Sequence, residues 1–144
     1  MNKLNENKYC TLSTVCEDGQ PWGSPVFFVA DEAGNIYWWS PVKSVHSINI
    51  RRTGTVFVTV FDSSVQEGKG QALYMQCEAT ELENDEAEEA RLLYNKKAKF
   101  FKLEAKDILG EAPTRIYCAK PKKKWRNVDA EENGYFIDAR EEVE

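Results

Sequence analysis

A chain of 144 residues with 42% hydrophobic and 12% aromatic side chains can bury one core but not two, so residues 1–144 are read as a single domain. Its formal net charge of −5 argues against the broad positive field that nonspecific binding to a phosphate backbone needs, and no nucleic-acid partner is expected. No apolar run approaches the roughly 20 residues of a transmembrane helix, and the start Met1-Asn-Lys-Leu-Asn-Glu-Asn-Lys8 lacks the apolar core of a signal peptide; a cytoplasmic protein with no membrane attachment is expected.

From Tyr9 to Ser40 two polar turns, Glu17-Asp-Gly-Gln20 and Asp31-Glu-Ala-Gly-Asn35, punctuate three runs rich in β-branched and aromatic residues. This pattern predicts a meander of three antiparallel strands. A helix is expected at about Val42–Arg52. Beyond it Thr55-Val-Phe-Val-Thr-Val-Phe61 alternates strictly, with Val56, Val58 and Val60 on one face and Phe57, Thr59 and Phe61 on the other. Both faces are apolar enough to be covered. In Ala72 to Leu82, Leu73, Met75, Cys77 and Ala79 alternate against Tyr74, Gln76, Glu78 and Thr80, which describes a half-buried strand.

Ala87, Ala90, Leu93, Tyr94, Ala98 and Phe101 recur near helical spacing and predict a second helix, about Asn84 to Phe101, packing one stripe on the sheet. Pro113 to Ala119 and Lys124 to Val128 read as two further strands, and Asn133-Gly134 signals a hairpin before Tyr135 to Asp138. Seven or eight short strands with two principal helices favour a closed or partly closed barrel with peripheral helices. Lys120-Pro-Lys-Lys-Lys-Trp-Arg126 is a basic run that reads as a solvated strand approach. Cys10, Cys16, Cys77 and Cys118 match no zinc or redox spacing, and one histidine cannot complete a metal cluster. They are read as buried, reduced small hydrophobes, and no metal site is expected.

The chemistry concentrates in Ile36-Tyr-Trp-Trp-Ser-Pro-Val-Lys-Ser-Val-His-Ser-Ile-Asn-Ile-Arg-Arg52. Here Ser40, Lys43, Ser44, His46, Ser47, Arg51 and Arg52 crowd a strand-to-helix junction, and His46 is the only histidine. Unpaired amides and the helix dipole make such a start a natural seat for an anion such as a phosphate. The competing reading is that Ser40 or Ser44 simply caps the helix while the basic residues form a solvated face. No Ser/His/Asp constellation and no paired carboxylates point to a hydrolase, and no catalytic side chain is assigned.

In order and spacing, Gly23-Ser-Pro-Val-Phe-Phe-Val29, Tyr37-Trp-Trp-Ser-Pro-Val-Lys-Ser-Val-His46, and Ile116-Tyr-Cys-Ala-Lys-Pro121 followed by Trp125 resemble the pyridoxamine 5'-phosphate oxidase-like family, the FMN-binding split β-barrels. The likeness runs from about Tyr9 to Asp138. It implies a homodimer with one FMN in each of two clefts between subunits, and the aromatic outer faces expected at Phe27, Trp38, Trp39 and Tyr74 would suit such an interface. It further implies phosphate contacts from Ser44-Val45-His46 in place of the family's Ser-Arg-Lys triplet, with Ser40 as the hydroxyl ending the preceding strand. Flavin contacts map to Val26 and Phe27, chiefly through backbone, and to Gln71. Trp125 matches the aromatic residue that reaches the partner subunit's flavin.

Several family cations are replaced: the second-strand arginine and lysine correspond to Ser24 and Val29, and the triplet arginine to Val45. Lys43, one turn away, is the nearest substitute. Near the C-terminus only Arg140 could grip a pyridoxal phosphate, so the oxidase reaction itself is not expected. The resemblance implies an FMN-dependent oxidoreductase with an unassigned small-molecule substrate, whose chemistry the isoalloxazine carries. The alternative is a flavin- or ligand-binding module, or dimeric scaffold, without turnover. Deazaflavin or haem binders belong to the same superfamily.

Overall fold

The computed structural model describes residues 1–144. After a 3-10 turn at Lys3–Glu6 the order is β1 (Tyr9–Val15), β2 (Pro21–Phe27), β3 (Val29–Ala30), β4 (Ile36–Pro41), α1 (Val45–Thr53), β5 (Thr55–Phe61), β6 (Ala72–Glu81) and α2 (Asn84–Lys97). A second 3-10 turn at Ala105–Asp107 leads to β7 (Thr114–Val128), β8 (Glu131–Glu132), β9 (Tyr135–Phe136) and β10 (Ala139–Val143). The main sheet runs β2-β1-β5-β6-β7-β4-β3, with β10 also on β7. Every pairing in it is antiparallel.

The second strand of the expected meander is bent rather than continuous. Phe28 alone separates β2 from β3, which lie at opposite ends of the strand order, so one bent strand joins both edges of a sheet that curls into a split β-barrel. Phe28 is fully buried where the edges meet. The inner faces of the strands supply the first core, including Leu12, Ile36, Trp38, Val56, Val58, Val60, Met75 and Tyr117. α2 covers the outside of β3, β4 and β7, where Ala87, Ala90 and Tyr94 pack with Val29, Ile116 and Cys118. The alternation of β4 divides it between these cores. Ile36, Trp38 and Ser40 are buried on one side, and Tyr37 and Trp39 pack toward α2.

Trp38 is therefore not an outer-face aromatic: it is fully buried and stacks on Tyr117, with ring centroids 6.0 Å apart. Alternation alone could not say which side of β4 was the inside. The first helix starts at Val45 rather than Val42, because Val42 to Ser44 form a turn in which the Ser44 amide donates to the Pro41 carbonyl. It ends at Gly54, whose φ of 72° is the left-handed turn a side chain resists. The second helix stops at Lys97, and Phe101, expected on its stripe, lies beyond it with 58% of its surface exposed.

The two strands expected on either side of Pro121 are one. β6 pairs Cys77 with Pro121 and Gln76 with Lys123, so Lys122 is the extra residue of a bulge, a place that tolerates a proline without an amide. Asn133 and Gly134 both have positive φ and make the expected tight turn between β8 and β9. β10, too polar to read as a strand, owes its place to pairing with β7. Cys10, Cys77 and Cys118 are buried, whereas Cys16 follows β1 in a turn and is partly exposed; all four are free thiols. No helix is long and apolar enough to cross a membrane.

Candidate functional site

α1 begins where β4 leaves the barrel, and this junction brings Ser40, Ser44, His46 and Ser47 together. Ser44 occupies the capping position, yet its hydroxyl does not cap. It donates instead to the Pro41 carbonyl at 2.8 Å and lies 2.7 Å from the Ser47 hydroxyl. As a result the amides of Val45, His46 and Ser47 have no acceptor in the chain. The first turn also holds no acidic residue to occupy the positive end of the dipole.

His46 Nε2 lies 2.9 Å from Ser40 Oγ and 3.3 Å from Ser44 Oγ. Because Ser44 gives its one proton to Pro41, it can meet the imidazole only as an acceptor, which favours a proton on Nε2. Burial holds the pKa of His46 below its ordinary value, so the ring is neutral around pH 7. The junction is a site of hydroxyl, imidazole and amide donors with little fixed charge. Lys43 is exposed beside it.

Arg51 and Arg52, grouped with this cluster in the sequence, are engaged elsewhere. Arg51 donates to Glu81 and to the Tyr117 hydroxyl, both at 3.0 Å, and reaches back to the Val42 carbonyl. The Tyr117 hydroxyl also donates to Glu81, and burial pushes its pKa up to about 12. Arg52 bonds Asn49 Oδ1 and the Val15 carbonyl, while the buried Asn49 donates to Thr14 Oγ1. These bonds fasten α1 to β1 and β6 and so fix where its first turn points. This network was invisible in sequence, since Arg51, Glu81 and Tyr117 come from three separated elements.

The remaining predicted residues fall into two further groups. Val26 and Phe27 end β2, which pairs with β1 alone and so keeps one backbone edge open. The Val26 side chain is in the barrel core, whereas Phe27 packs edge-on against Tyr94. Gln71 is exposed just before β6, and Trp125 stacks on Phe57 on the outer face of the sheet. Ser40 pairs with Arg115 at the start of β7, and Trp125 lies near its end, up to about 30 Å away at the usual strand rise. Within one chain, Gln71 and Trp125 do not join the junction. Ser24 and Val29, at the two lost cation positions, are buried. Arg140 stacks 3.5 Å over the Tyr74 ring and pairs with Asp138. In the basic run, Lys122 pairs with Glu78 and Arg126 with Glu141.

Fold and junction together define a split β-barrel whose strand-to-helix corner presents unspent donors. The chain belongs to the pyridoxamine 5'-phosphate oxidase family, whose model matches residues 2–132. No curated protein sequence matches it. Among solved structures it is similar to a heme binding protein from Mycobacterium smegmatis, with a TM-score of 0.71 and 14% identity over 99% of this chain and 58% of that one. It is also similar to a Listeria innocua protein provisionally named a pyridoxamine 5'-phosphate oxidase, with a TM-score of 0.63 and 20% identity over 84% of this chain and 89% of that one. An F420 reductase gives a TM-score of 0.62 at 20% identity, covering 84% of this chain and 92% of that one. The chain thus spans little more than half of the mycobacterial heme binding protein, and these likenesses show the fold.

Proposed function

We propose that the chain binds FMN with its phosphate at the β4–α1 junction and acts as an FMN-dependent oxidoreductase on a small-molecule substrate. The observation that carries this reading is the set of three unpartnered amides, at Val45, His46 and Ser47, framed by Ser40 and Ser44. Such a donor set matches the acceptor-only oxygens of a phosphate. Bound flavin would supply the electron transfer, and the protein's part is to seat the phosphate and orient the ring along the open edge at Val26 and Phe27. In this reading the molecule is a homodimer, which lets Gln71 and Trp125 serve the partner's flavin although they are remote from their own junction.

Family membership supports a flavin, and a deazaflavin would present a similar phosphate. A haem is less suited: the only histidine has Nε2 against the Ser40 hydroxyl rather than free for a metal. The absence of an arginine or lysine at Ser24, Val29 and Val45 favours a second reading, a flavin-binding module without turnover. Bleaching of the bound flavin by NAD(P)H separates the two, since a module without turnover stays yellow until dithionite is added.

The test of the site is flavin fluorescence quenching. The double variant Ser44→Ala, His46→Ala should lose on the order of 1–3 kcal/mol of FMN affinity, the usual loss for hydrogen bonds to a charged group. Wild-type affinity in that variant would place the phosphate elsewhere. Light scattering at micromolar concentration tests the dimer, and a mass of 16.5 kDa, that of one chain, would exclude it.

A further inference from the structure

The N-terminal segment, the end of β2 and the end of α2 line a cleft of about 650 Å³. That volume is typical of a small-molecule site. Its walls are aromatic: Tyr9, Phe27, Tyr94, Phe100 and Phe101. Phe27 meets Tyr9 and Tyr94 edge-on, at 6.3 and 5.3 Å, so both tyrosine rings stand nearly perpendicular to it. Phe100 is 97% exposed, an apolar ring at the mouth with nothing against it.

Lys97 lies at the base of this cleft. Its Nζ donates to the Asn7 and Phe28 carbonyls, both at 2.5 Å, and sits 3.9 Å over the Phe28 ring centroid. An ammonium has three donors, so one remains. No carboxylate pairs with it, in a chain whose acidic residues outnumber its basic ones. A partly buried cation without a counter-ion is costly, and the same burial pulls the pKa of Lys97 down to about 8. The other ionisable groups around it are Glu6, Lys8 and Tyr9 on the N-terminal side, Cys10 on β1, and Tyr94 and Lys99 on the α2 side. Lys8 and Lys99 add positive charge at the rim, and Glu6 is the one acid there.

We propose that this cleft binds a flat aromatic carboxylate, its ring between the aromatic walls and its carboxylate on the free N–H of Lys97. The proposal goes beyond the flavin reading: of the residues assigned to FMN only Phe27 lines the cleft, and none of the phosphate-seating residues of the junction does. An aromatic body suits edge-and-face walls that a flexible polar ligand would leave unfilled. The carboxylate supplies the counter-ion that the chain itself does not give Lys97, through a charge-assisted hydrogen bond.

The test is titration of 2-naphthoate into the full chain, followed by amide shifts in two-dimensional NMR, with 2-naphthylmethanol as the uncharged comparison. The expected result is shifts centred on Tyr9, Phe27, Tyr94 and Phe101, and binding of the alcohol roughly tenfold or more weaker, as for losing a hydrogen bond to a charged group. Lys97→Met should bring naphthoate down to the affinity of the alcohol and leave FMN affinity unchanged, while Lys97→Arg restores part of the preference. Equal affinity of wild type for acid and alcohol, or shifts centred on Ser40, Ser44 and His46 instead, would overturn the proposal. That comparison needs only the wild type, so it decides the matter even if Lys97→Met fails to fold.

Discussion

The β4–α1 junction and the Lys97 cleft suit a negatively charged group by opposite means. The junction gathers many donors and almost no charge, with its arginines turned away to hold α1 in place. The cleft sets one cation without a counter-ion, Lys97, at the base of aromatic walls, with Lys8 and Lys99 adding charge at its rim. Charge at the junction therefore does not mark the polar seat: Arg51 and Arg52 are structural, and the donors that stay unspent there are the backbone amides of Val45, His46 and Ser47, whose charge is nil.

The largest effect is expected from removing the frame under the junction. Trp38 is fully buried beside Ser40 on β4, and Trp38→Ala should cost about 3–5 kcal/mol of stability, read by urea unfolding. A loss under about 1 kcal/mol would return Trp38 to the outer surface. A smaller change makes the junction resemble the cleft. His46→Lys adds the fixed charge the junction lacks and should tighten FMN binding at pH 8 by roughly tenfold, given that charge-assisted bonds are about twice as strong as neutral ones. Affinity equal to wild type at pH 8 would mean that position 46 does not face the phosphate.

Acidity sharpens the contrast at lower amplitude. Burial depresses both His46 and Lys97, so in each case the unfolded chain binds the proton more readily and stability rises with pH between the two values. For His46 the contribution is complete above its ordinary value of 6.5 and is lost as pH falls through the lower folded value. For Lys97 it is complete above 10.5 and is lost as pH falls through about 8. Urea midpoints at stepped pH should accordingly separate His46→Gln from wild type below about pH 6.5, and Lys97→Met from wild type between about pH 8 and 10.5. Parallel curves in either window would show that burial does not set that group's proton affinity. The smallest expected effect is that of Lys43→Met, where an exposed charge beside the junction should change FMN affinity by less than about threefold at 0.15 M salt.

Much of the frame was legible because its signals are local. Strict alternation identified the buried valines of β5, the polar runs marked the turns, and Asn133-Gly134 fixed a hairpin by its positive φ values. The cluster at Ser40, Ser44 and His46 was legible for the same reason, since seven consecutive residues carry it. Lys97 carried a usable sign as well: it follows Tyr94 by three positions and so shares the apolar face of α2, where a lysine calls for a partner. The continuity of β7 across Pro121 left no such sign, because a bulge depends on what the neighbouring strand does.

By itself the sequence determined most of the strand and helix segments and where a donor-rich corner would form, because period, turn chemistry and capping act over a few residues. Only the tertiary structure decided which face of β4 looks inward, that Arg51 and Arg52 brace the helix, that the Ser44 hydroxyl leaves the first-turn amides free, and that Gln71 and Trp125 lie at the other end of the sheet from Ser40. Each of these depends on groups brought together from distant parts of the chain, and the curl of the sheet about Phe28 sets those distances.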